Sequence, residues 1–125
     1  MTDYSDDNNK VIFSSLDKEY FLKLNSDHKI IWMSRLGYYL SIEIRGIIFE
    51  GLDSSGNIDS EKINLLNDIL LQIFGKIDSK TRSNDNFPDA DFFNLLKEKA
   101  EKAHFSPRLF TLFVKDIEYR VSESN

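Results

Sequence analysis

Between residues 63 and 77 the apolar side chains Ile63, Leu66, Leu70, Ile73, Phe74 and Ile77 recur at i, i+3, i+7, i+10, i+11 and i+14. A strand turns alternate residues to opposite faces, so only a helix of 3.6 residues per turn gathers this set on one side. Leu65, Ile69 and Leu71 widen the apolar surface, which places this helix centrally, packed on two sides. With 125 residues the chain is long enough to bury a core around it as one domain.

Weaker copies of the same pattern flank it. Ser14 can cap a helix with Asp17 three residues on, and Leu16, Tyr20, Phe21 and Leu24 follow at helical spacing to a stop at Asn25. Ser26 or Asp27 can start the next element. "DSKTRSNDNFPDAD" reads as an exposed loop, with Pro88 near the first turn of a helix whose apolar face is Phe92, Phe93, Leu96, Ala100 and Ala103. In "HFSPRLF", Ser106 is a natural N-cap and Pro107 a first helical residue, ahead of Phe110, Phe113, Val114, Ile117 and Val121.

The segment "IIWMSRLGYYLSIEIRGIIFEG" supports two readings. Met33, Leu36, Leu40, Ile44 and Ile47 share a helical face, whereas Leu40 to Arg45 alternates as a strand does. Helix accounts for more of the segment. The expected fold is therefore an all-α, compact single-domain bundle of four to five helices over 11–121, after a flexible acidic N-terminal arm at 1–10 and before a frayed tail at 122–125. The rival is α+β, with one strand near residues 39–49.

Composition narrows function by exclusion. The absence of cysteine rules out disulfides, thiolate metal sites and a Cys nucleophile. A net charge of −5 disfavours nucleic acid, whose phosphates call for lysine and arginine. No run is long enough to span a membrane, and "MTDYSDDNNK" is not a signal peptide, so a cytoplasmic protein is expected.

"GLDSSGNIDSEK" (51–62) has the look of a calcium loop. With Gly56 at position 6 of an EF-hand, Ile58 falls at position 8 and Asp59 at position 9, but Gly51 and Lys62 occupy positions 1 and 12, where carboxylates are required. The turn reading fits better: Gly51 as a helix stop, "DSSGN" as turn formers, and Asp59 as an N-cap flanked by an Ile58–Ile63 staple. No metal and no cofactor are expected.

His28 and His104 have no nucleophile at a recognisable spacing and read as structural. Glu43 lies at the edge of an apolar face, where an ion pair with Arg35 or with a base on a neighbouring helix is the commoner outcome than catalysis. Opposite the core arc of that helix stand Tyr38, Ile42 and Phe49 beside Arg35 and Arg45. They belong either to a helix buried between two layers or to an exposed Tyr- and Arg-rich patch suited to protein contact. Two acidic clusters, Glu50, Asp53, Asp59 and Glu61, and Asp85, Asp89 and Asp91, form one surface if their turns share an end of the bundle. Such a surface complements a basic partner.

A small, acidic, cysteine-free helical chain with the two acidic turns "FEGLDSSGNIDSE" and "SNDNFPDAD" resembles bacterial immunity proteins and antitoxins, including those of contact-dependent growth inhibition systems. The resemblance is one of class and general architecture. It implies a non-catalytic inhibitor that binds a cognate toxin, a nuclease for instance, and covers its basic active-site region. The candidate partner-binding residues are Glu50, Asp53, Asp59, Glu61, Asp85, Asp89, Asp91, Tyr38 and Arg45. The alternative is a small helical adaptor or self-associating subunit.

Overall fold

Five helices follow one another in the computed structural model, which describes residues 13–54, 56–82 and 90–123, with the side chains of 53, 54 and 79–82 left aside: α1 (Ser15–Lys23), α2 (Ser26–Ser54), α3 (Ser60–Arg82), α4 (Ala90–Lys102) and α5 (Pro107–Glu123). No strand forms among the described residues, and 39–49 lies wholly within α2. The chain is an all-α bundle. The expected arm at 1–10, the loop carrying Pro88, and residues 124–125 of the expected tail lie outside the described residues. Residues 122 and 123, expected to fray, are the last of α5.

Helices α1, α2, α3 and α5 begin where the sequence offers an acceptor for their unpaired first-turn amides. The Ser14 hydroxyl accepts from the Asp17 amide at 3.2 Å, and the Asp17 carboxylate accepts in return from the Ser14 amide at 2.8 Å. Asn25, expected as a stop, instead caps α2: its Oδ1 accepts from the His28 amide at 2.8 Å. Asp59 does the same for Lys62 of α3 at 3.1 Å.

The end of α2 corrects the turn reading. Gly51 does not stop the helix, which runs on through Ser54. Its lack of a side chain serves a close approach instead, because a Cβ there would stand 2.6 Å from Ile58 Cγ1 and 2.7 Å from the Asn57 carbonyl oxygen. The chain reverses at Gly56, whose φ of 79° suits glycine, with its amide donating to the Gly51 carbonyl at 2.6 Å.

Helix α2 packs against α3 and α5, α3 against α4, and α4 against α1. Cross-links fix the directions. Glu43 meets Lys62 near the start of α3, while a Cβ on Gly37 would lie 3.4 Å from Leu70 further along, so α2 and α3 are antiparallel. Glu43 also meets Ser106 and Arg35 meets Asp116, so α5 is antiparallel to α2 as well. The interior is aromatic at one end: the Phe13 ring lies 5.3 Å from Phe93 and 4.8 Å from Phe110, edge to face, and Trp32 lies 4.5 Å from Phe21 and 5.2 Å from Phe113. Leu36, Leu40, Leu66, Ile69 and Ile73 continue it as an aliphatic core.

Helix α3 departs from expectation on one side. Phe74 and Leu71, assigned to its buried surface, are 56% and 62% exposed, so among the described residues this helix is covered on one face only.

Helix α4 ends in a Schellman motif: the Phe105 amide donates to the Ala100 carbonyl at 3.0 Å and the His104 amide to Glu101 at 3.1 Å. The motif requires a left-handed residue, and His104 supplies it at φ 55°. A β-carbon is disfavoured there, so His104→Gly is expected to stabilise the fold by about 1 kcal/mol. Thermal unfolding should register it as a rise of roughly 3–6 °C in Tm, and an unchanged or lower Tm would contradict the strain.

Candidate functional site

The outer face of α2 carries Ile31, Arg35, Tyr38, Ile42, Arg45, Phe49 and Leu52 at alternating spacings of four and three. That spacing holds them within about a 100° arc over roughly 32 Å of helix. The face is open from Tyr38 onward, with Tyr38 45% exposed, Phe49 62% and Leu52 64%, whereas Ile31 is half-buried against the core. Of the two arrangements the sequence allows, the exposed patch forms and the helix buried between two layers does not. Near its start, Ile31 borders a shallow hollow shared with the exposed Tyr119 of α5.

One edge of this face is held by an acid 81 residues away from its partner. Asp116 on α5 accepts from Arg35 Nε and Nη2 and from the Tyr39 hydroxyl, all at 3.0 Å on Oδ2, and from Arg120 Nε at 2.6 Å on Oδ1. Burial pushes its pKa up, but the hydrogen bonds from Arg120, Arg35 and Tyr39, with the charge of Arg35, outweigh it and leave the carboxyl below its usual value. Burial, and then the neighbouring Asp116 carboxylate, raise the Tyr39 hydroxyl. With its fork anchored this way, the Arg35 guanidinium lies 4.3 Å from the Tyr38 ring centroid, which fixes that ring on the surface. Arg45 is different. It is exposed, and it makes no hydrogen bond or ion pair among the described residues.

The first acidic cluster lies at the C-terminal end of α2 and the start of α3. Glu50, Asp59 and Glu61 are exposed there, while Asp53 lies in the last turn of α2 with its side chain outside the described set. Lys62, the residue that denies the loop its EF-hand carboxylate, is part of the frame: its Nζ lies 2.9 Å from Glu43 Oε2 and donates to the His104 carbonyl at 2.8 Å. Glu43 in turn accepts from the Ser106 amide at 2.9 Å. An acid three residues past the N-cap often performs that service, but here Leu109 occupies that place, and α2 lends the carboxylate from across the bundle. Glu43 thus ties three helices together, with Lys62 rather than Arg35 as its ionic partner.

Asp85 and Asp89 lie outside the described residues, and Asp91 is exposed in the first turn of α4. The neighbouring Phe92 lies under Lys76 of α3, so Asp91 is roughly 25 Å along α3 from Asp59. Asp91 thus stands near the opposite end of α3 from Asp59 and Glu61. Glu50 and Asp59 border one hollow with Gly51 and Lys62, whereas Glu61 borders another with Lys102 and His104.

Ile31, Leu52 and Tyr119 extend the face beyond the residues singled out from sequence. For the first two the signal was present, as the four–three alternation carried past Tyr38 and Phe49 in both directions. Among the described residues, no group of three or more His, Cys, Asp or Glu side chains gathers as a metal-ligand set, and no helix is long and apolar enough to cross a membrane. No protein-family model, curated protein or solved structure matches the chain.

Proposed function

We propose that the chain is a protein-binding inhibitor that neutralises a cognate toxin, a nuclease type with a basic active-site region, by covering that region. Two observations support this: the exposed Tyr38, Arg45, Phe49 and Leu52 along α2, and the exposed Glu50, Asp59 and Glu61 at the end of that helix and the start of the next. Aromatic and Arg side chains at the centre of an interface slow dissociation, and opposite charge at its rim speeds encounter. The acidic end steers a basic partner and the α2 face holds it.

The test uses the purified product of the adjacent gene. A one-to-one complex and relief of the toxin's activity are expected. Reversing Glu50, Asp53 and Glu61 to lysine should slow association about tenfold at low salt, with the difference shrinking as salt rises. Asp59 is spared because it caps α3. Absence of a complex rejects the inhibitor, and unchanged association rates reject the acidic turn as its steering surface.

A further inference from the structure

We propose that the segment seated on the α2 face is an amphipathic α-helix contributed by the partner, with an acidic residue in the middle of its apolar side placed against Arg45. This names what the partner offers to the binding face, and so rests on the function proposed above.

The spacing is what selects a helix. Ile31, Tyr38, Arg45 and Leu52 are seven apart, with Arg35, Ile42 and Phe49 interleaved, which is the a/d pattern of a helical seam sustained over three heptads. The ground beside the seam is low. Ser34 and Ser41 flank one side, with the Ser41 hydroxyl folded back onto the Gly37 carbonyl at 3.0 Å. On the other side Gly46 has nothing within 4 Å of where a Cβ would be. Small flanking residues let a second helix approach closely, and an amphipathic helix laid along such a face is a recurring mode of recognition.

Charge selects the partner. Arg35 has its carboxylate, Asp116, within the chain, but Arg45 has none among the described residues and stands between Ile42 and Phe49. Covering it with apolar surface alone would strand a charge away from water. A second copy does not solve this, because the seven seam positions hold two arginines and no carboxylate. A copy in parallel register sets Arg45 against Arg45. Such self-pairing is disfavoured, and an acid from a different chain satisfies the arginine.

Two synthetic helical peptides test this without any toxin. Both span three heptads with leucine at the seam positions, and they differ only in a central glutamate or lysine. By fluorescence anisotropy the glutamate peptide is expected to bind the wild-type chain roughly tenfold or more tightly than the lysine peptide, with the preference inverted by Arg45→Glu. Phe49→Ser should abolish binding of both while circular dichroism stays unchanged. Equal affinity of the two peptides, a preference indifferent to Arg45→Glu, or binding that survives Phe49→Ser would each overturn the inference. So would a wild-type homodimer in light scattering that Phe49→Ser dissolves, since the seam would then pair with itself. If the peptides behave as expected but no toxin complex forms, the helix-binding face stands and the inhibitor reading falls. If the complex forms and the peptides fail, the reverse holds.

Discussion

Phe93→Ala is expected to lower the free energy of unfolding by about 3–5 kcal/mol, a large part of what a domain of this size possesses. Phe93 is fully buried, and its ring meets Phe13 at 5.3 Å, Phe21 at 5.6 Å and Trp32 at 5.8 Å. It therefore joins α4 to α1, α2 and the residue that leads into α1. Removing it leaves a cavity walled by rings that cannot collapse without leaving their edge contacts. Phe74→Ala is the matched control, because that ring is 56% exposed on α3 and should change stability by no more than about 0.5 kcal/mol. Urea titrations of both variants, followed by Trp32 fluorescence and by circular dichroism, compare them directly. A loss below about 1 kcal/mol for Phe93→Ala would mean that the aromatic cluster does not hold the fold.

That pair also shows how far sequence reading reaches. Periodicity placed Phe74 and Phe93 alike on apolar faces, and correctly as helical residues, but it cannot say which face another helix covers. Local signals were legible because they depend on residues three or four apart: the Ser14–Asp17 box, the Asp59 and Ser106 caps, and the helical character of 39–49. Gly51 was misread because its reason lies in Ile58 and Asn57, which approach only once the turn has formed. Glu43 and Arg35 illustrate the same limit. Their partners, Ser106 and Asp116, stand 63 and 81 residues away, and nothing in a linear pattern encodes such a pairing. For the candidate site, the aromatic and Arg positions on α2 were readable from spacing. The distance of Asp91 from Asp59 was not, since it follows from the length of α3 and its packing against α4.

Asp116→Ala is expected to destabilise by about 2 kcal/mol, because Arg35, Tyr39 and Arg120 lose a common acceptor at a site where Asp116 is only 13% exposed. The full penalty of a stranded buried charge does not apply, since Arg35 and Arg120, 24% and 46% exposed, can turn to water. The loss should depend on pH in a defined sense. The Asp116 carboxyl titrates lower in the folded protein than in the unfolded chain, so between those two values the unfolded state binds the extra proton. Its contribution is thus complete above the ordinary carboxylate value of about 3.9 and disappears as pH falls through the lower folded value. Wild-type and variant stabilities, measured by urea titration from neutral to acidic pH, should converge below about pH 4. A gap that stays constant into acid would show that the carboxylate charge is not what Asp116 contributes. The same variant bears on binding, because Asp116 fixes Arg35 and Arg35 fixes Tyr38. At neutral pH, under conditions where the variant remains folded, partner dissociation should quicken while the salt-dependent association rate stays that of wild type. That split separates the helix that holds the partner from the acidic turn that steers it.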